Sequence, residues 1–144
     1  MVAGCAAQSG ADVTPHVGTW HYAQVTLVTN TCNSRVQTGE SGDFVIDTAQ
    51  PTSFHVMPND GGDNFTCSLS GGSFDCPNRA AGTIDYRPSI DAVATYHVDA
   101  DGDFSDAAHA TGSQHATVDC TGSQCSLGGT FPCTFSQDFA ITAQ

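Results

Sequence analysis

The sequence predicts an all-β domain, an antiparallel up-and-down meander of about eight to ten strands that closes into a small barrel and is stapled by three disulfides. Three observations predict it. Apolar and polar residues alternate with a period of two from Gly18 onward, and no stretch sustains a helical period. Fifteen glycines and six prolines break the chain at short intervals. Six cysteines, Cys32, Cys67, Cys76, Cys120, Cys125 and Cys133, fall on or beside the apolar faces of the alternating segments. A β-sandwich is the alternative arrangement of the same strands.

Strands are expected near 18–30, 43–48, 52–58, 64–70, 73–77, 82–88, 92–100, 103–119 and 132–143, with a short one near 125–128. Alternation assigns the inward faces. Trp20, Tyr22, Thr26 and Val28 share one in the first strand, followed by Phe44 with Ile46 and Phe54 with Val56. Phe65, Cys67 and Leu69 come next, then Phe74 with Cys76, and Ile84 with Tyr86. Ala94, Tyr96 and Val98 line up, as do Ala116, Val118 and Cys120. The last strand turns Cys133, Phe135, Phe139 and Ile141 inward. Pro51, Pro58, Pro77 and Pro88 fall at the breaks, where a missing N–H costs little.

The turns then pair the cysteines. Gly71-Gly72 is a two-residue hairpin turn, and counting back from it sets Cys67 opposite Cys76. That is a position where Cα atoms approach to about 4.5 Å, which suits a disulfide. Cys120 and Cys125 bracket Thr-Gly-Ser-Gln and bridge a single turn. Cys32 ends the first strand and Cys133 opens the last, so the remaining pair sets those strands side by side and closes the sheet. A disulfide framework of this kind belongs to an oxidising compartment.

The seventh cysteine, Cys5, stands apart. Val2-Ala3-Gly4-Cys5 resembles the lipobox of bacterial lipoproteins, an aliphatic residue and two small ones before the modified cysteine. The resemblance implies a lipid on Cys5, an anchor in a membrane, and a place in the periplasm or at the cell surface. Residues 1–17 then read as a lipobox remnant with a small, polar, flexible tether, and 18–144 as a single disulfide-bonded barrel domain.

Gly18-Thr19-Trp20 opens the first long strand and resembles the GxW signature at the start of lipocalins and the wider calycin group. A second lipocalin motif is missing, and so is the arginine near the last strand; Arg87 lies far earlier. The resemblance implies a tryptophan packed at the closed end of a barrel whose cavity takes a small, usually apolar molecule. The candidate interior residues are Trp20, Tyr22, Gln24, Tyr86, Tyr96, Phe135 and Gln137.

Charge excludes other partners. Fourteen Asp and the single Glu40 face only Arg35, Arg79 and Arg87, a formal net charge of −12. Such a chain repels phosphate backbones and anionic lipid surfaces, so nucleic acid is excluded and a membrane is reached only through the lipid. No cofactor is predicted. His97 with Asp99, Asp101 and Asp103 is the stretch that would offer calcium or a transition metal its ligands, although Asp101-Gly102 also reads as a hairpin turn. His21, His55, His97 and His115 fall on outward faces. No G-x-S-x-G elbow is present and the body cysteines are committed to bridges, so the chain reads as a binder rather than an enzyme. A solid-cored adhesive surface module and a divalent-metal binder or enzyme using surface His and Asp are the rival readings; a hollow barrel interior separates the first from a ligand carrier.

Overall fold

The computed structural model describes residues 12–32 and 40–144. Eight antiparallel strands follow one another round a closed barrel: β1 (Gly18–Asn30), β2 (Ser41–Gln50), β3 (Ser53–Met57), β4 (Phe65–Ser70), β5 (Ser73–Asp85), β6 (Val93–Asp106), β7 (His109–Thr121) and β8 (Cys133–Ala143). β1 pairs with β2 on one side and β8 on the other, so the sheet closes and the sandwich alternative falls. The three predicted disulfides are present, with Cα separations of 5.0 Å for Cys32–Cys133, 4.2 Å for Cys67–Cys76 and 5.9 Å for Cys120–Cys125. Such bonds persist in oxidising compartments. Among the described residues no helix is long and apolar enough to cross a membrane.

The wall is uneven. β3 and β4 have five and six residues, whereas β1, β5, β6 and β7 have 13 or 14. Among the described residues β2 pairs with β1 from Gly18 to Ala23, and β8 pairs with β1 on to Asn30. The tall strands therefore stand above the mouth of the barrel. Two apolar clusters result, a large one in the closed half and a small one around Ala94, Val118 and Cys133 on the tall wall.

The closed end is packed by rings. Trp20 is 0% exposed, and its Nε1–H donates to the His16 carbonyl at 2.9 Å. Phe104 sits at the hub, 5.9 Å from Trp20, 5.6 Å from Phe54 and 5.3 Å from Phe74 between ring centroids. The segment before β1 closes the floor: Pro15 is buried, Val13 packs on the core, and the His16 N–H donates to Ala107 O at 2.9 Å. Residues 12–17 thus belong to the folded domain and correct the tether drawn to residue 17, because an apolar barrel floor left open would expose Trp20 to water.

Gly102 and Gly112 face each other across β6 and β7. A Cβ on Gly102 would stand 2.6 Å from Phe74 Cζ, and one on Gly112 would stand 2.7 Å from Phe139 Cζ. The paired glycines let both rings lie against the sheet. This overturns the turn expected at Asp101-Gly102. β6 runs straight through it, and the chain reverses at Ala107-Ala108.

Bulges explain the other departures. Val25 and Val28 are extra residues in β1 relative to β8, 66% and 57% exposed, and Leu27 takes the inward place opposite Gln137. Thr26 and Val28 therefore do not share the face of Trp20 and Tyr22. The two strands expected over 73–77 and 82–88 are one, β5, bent by a bulge at Pro77-Asn78 and another at Ala81. Ile84 lies opposite Ala94 on the inner side yet is 44% exposed, because the short strands do not rise to cover it. The segment Cys125–Gly128 is a 3-10 turn rather than a strand.

Candidate ligand cavity

Above the ring-packed floor lies a cavity of about 600 Å³, of the size that takes a small organic molecule. Its apolar wall carries Phe44, Phe54, Phe65, Phe74 and Phe139, with Val56 and Val98 between them. These come from β2, β3, β4, β5, β6 and β8, so the interior of nearly the whole ring contributes.

A polar rail crosses one side. Gln137, 3% exposed, donates from Nε2 to Tyr22 Oη at 2.9 Å, and Tyr22 Oη donates to Gln114 Oε1 at 3.2 Å. Gln114 and Gln137 are register partners on β7 and β8, and Tyr22 reaches them from β1. Burial pushes the Tyr22 phenol up to about 12, above its ordinary 10.0, and the Glu40 carboxylate adds to that rise against the hydrogen bond from Gln137. Burial keeps the phenol neutral, and the rail leaves amide groups of both glutamines able to meet a ligand.

The rim is charged. Glu40 and Ser41 border it where the chain enters β2, and Pro58, Asn59 and Asp60 border it from the β3–β4 connection. That connection is pinned to β5. Arg79 Nη2 donates to Asp60 Oδ2 at 2.8 Å, and the Arg79 guanidinium stacks 4.4 Å from the Phe65 ring centre. Gly62 lies so close that a Cβ there would stand 2.5 Å from the Ala80 carbonyl. Gly62 N–H closes an Asx turn on Asp60 Oδ1 at 2.9 Å. Asp99 borders the cavity where the β5 bulge sets Pro77 and Asn78 against it.

Of the predicted interior residues, Tyr22 and Gln137 line this cavity. Trp20 lies below it in the floor. The Gln24 Oε1 accepts from the Glu40 N–H at 3.3 Å and ties β1 to the start of β2. Tyr86 and Tyr96 line a separate cleft of about 90 Å³ beside the Cys120–Cys125 turn, and Phe135 packs in the small cluster on the tall wall. Gln114, Arg79 and Glu40 were not foreseen. Gln114 was within reach, since it alternates with Ala116 and Val118 on one face of β7.

The metal candidates do not converge. His97, Asp99, Asp101 and Asp103 lie along the outer side of β6, alternating with Val98, Ala100, Gly102 and Phe104, so neighbours are roughly 7 Å apart. His97 Nε2 lies 3.8 Å from Asp119, Asp101 lies 3.6 Å from His115 Nε2, and Asp103 accepts from Ser73. A calcium loop needs a turn to gather its oxygens, and β6 does not turn here. Among the described residues no group of three or more His, Cys, Asp or Glu could hold a metal ion. His21, His55, His97 and His115 all meet aspartates on the outer surface, as their outward faces predicted. Cys5 lies outside the described residues.

Comparison of the chain with protein-family models, with curated proteins and with solved structures finds no match.

Proposed function

We propose that this domain is an extracytoplasmic ligand carrier, tethered to a membrane through a lipid on Cys5, that holds a small molecule with an apolar body inside its barrel. One observation carries the reading: a closed barrel, sealed by rings at one end, keeps about 600 Å³ open above them and lines it with five phenylalanines. A solid adhesive module would fill that space, because unfilled apolar volume costs stability. Trp20 at the sealed end matches what the lipocalin-like resemblance implies, and the Tyr22–Gln137–Gln114 rail supplies the few oriented polar groups such cavities carry. Three disulfides support export.

Native mass spectrometry of the protein isolated from its own host tests both halves. One non-covalent small-molecule adduct per chain is expected, together with a covalent acyl mass on a chain beginning at Cys5. A bare polypeptide mass would remove the carrier reading, and an unmodified Cys5 would remove the anchor.

A further inference from the structure

The geometry points to an organic cation, an amine or quaternary ammonium on an apolar body, as the ligand class this cavity selects. The inference rests on the carrier reading and deepens it. Among the described residues four acidic ones, Glu40, Asp43, Asp60 and Asp99, border the cavity against one basic residue, Arg79, a formal balance of −3 from four negative and one positive charge. The Arg79 charge is already met by Asp60 at 2.8 Å and by the Phe65 ring, so it offers an anion little. Asp43 faces outward to His21 Nδ1 at 2.8 Å and to Gln144 Nε2 at 2.9 Å, so its charge acts from behind the wall. Asp99 lies on the outer side of β6, opposite His115 at the β5 bulge, so its charge too acts from behind the wall.

Glu40 is placed differently. Its side chain meets no cation among the described residues, its backbone is tied to Gln24 of β1 by two hydrogen bonds, and it borders the cavity where the chain enters β2. It therefore stands at the mouth of the cavity. A cationic head at Glu40 would leave the apolar body among Phe44, Phe54, Phe74 and Phe139, whose ring faces also favour positive charge. A net charge of −12 draws cations toward the mouth and repels carboxylates.

A matched series tests this: decyltrimethylammonium, decanol and decanoate, each titrated against N-phenyl-1-naphthylamine bound to the barrel. The same tail fills the cavity in all three, so only the head group differs. Decyltrimethylammonium should displace the dye at about tenfold lower concentration than decanol, and decanoate should be the weakest. Glu40→Gln should erase most of the cation's advantage and leave decanol unchanged, and raising the salt should shrink the advantage in the wild type. Decanol or decanoate matching the cation would overturn the charge preference and leave the carrier reading standing. Failure of the dye and all three probes to bind would overturn both.

Discussion

Removing the Cys32–Cys133 bridge should cost this fold more than removing the Cys120–Cys125 bridge, because the two staples close very different lengths of chain. Their sequence separations are 101 and 5, and the loop-entropy model gives about 4.7 kcal/mol for the first against about 2.1 kcal/mol for the second. The separation of 9 between Cys67 and Cys76 gives about 2.6 kcal/mol, but Cys67 is 0% exposed, so its removal adds a packing loss and blurs that comparison. The widest contrast in loop length is between double alanine variants of the first two pairs, where the burial of Cys133, 3% exposed, adds a packing loss in the same direction as the loop term. A slope of about 4 kcal/mol per molar guanidinium places the midpoint about 1.2 M lower for Cys32→Ala with Cys133→Ala. The corresponding shift for Cys120→Ala with Cys125→Ala is about 0.5 M. Equilibrium unfolding followed by circular dichroism and by the single Trp20 reads both. Equal shifts, or a larger one for the short loop, would refute the reasoning. They would mean that the β1–β8 ladder, which runs on to Thr31 N–H donating to Thr134 O at 2.8 Å, already holds the ring closed.

Tyr22 should ionise in a step near 12 in absorbance at 295 nm after a rapid pH jump, and Tyr22→Phe should remove that step. Its contribution to stability is present in full below pH 10.0 and is lost as pH rises toward about 12, since only the unfolded chain ionises in that window. Gly112→Ala should destabilise the domain by about 1–3 kcal/mol in denaturant unfolding, because its methyl would enter the Phe139 ring and the Asp101 carbonyl; an unchanged midpoint would contradict the close packing. Arg79→Met should speed hydrogen exchange over residues 58–64, since Asp60 and the Asx turn at Gly62 lose their anchor on β5, and unchanged exchange would show the connection held by other contacts. Arg87→Gln should raise Asp85 from about 2 part of the way toward 3.8 in a carboxyl-carbon NMR titration, because the Arg87 guanidinium is the largest cause holding that carboxylate low and the Arg87 backbone N–H bond remains.

Closure was readable because the cysteines report on it independently of strand pattern. A hairpin register fixes Cys67 and Cys76, one short turn fixes Cys120 and Cys125, and the pair left over names the two strands that meet. What alternation could not carry was any interruption of its own period. Val25 and Val28 each insert one residue, so parity counted from Trp20 fails by Thr26 and is only restored in a new phase at Leu27. Asp101-Gly102 has turn chemistry, but Gly102 is demanded by the ring of Phe74, its register partner on β5, and that register is set by the bulges in β5 rather than by any local pattern around Gly102. The cavity was legible only in part for a similar reason. Tyr22 and Gln137 follow from strand parity, whereas Glu40 and Arg79 reach the rim through a strand entry and a bulge that no periodicity predicts.

The central claim is that the barrel interior is a binding site, and Gly42 gives direct access to it. Gly42 pairs with Tyr22, borders the cavity, and a Cβ there meets nothing within 4 Å. Gly42→Phe should therefore fill the mouth without disturbing the wall. Titration of N-phenyl-1-naphthylamine should show one saturable site per chain in the wild type and none in Gly42→Phe, with both proteins unfolding at the same denaturant concentration. Saturable binding that survives the substitution in a normally folded variant, or no binding to the wild type, would contradict the account.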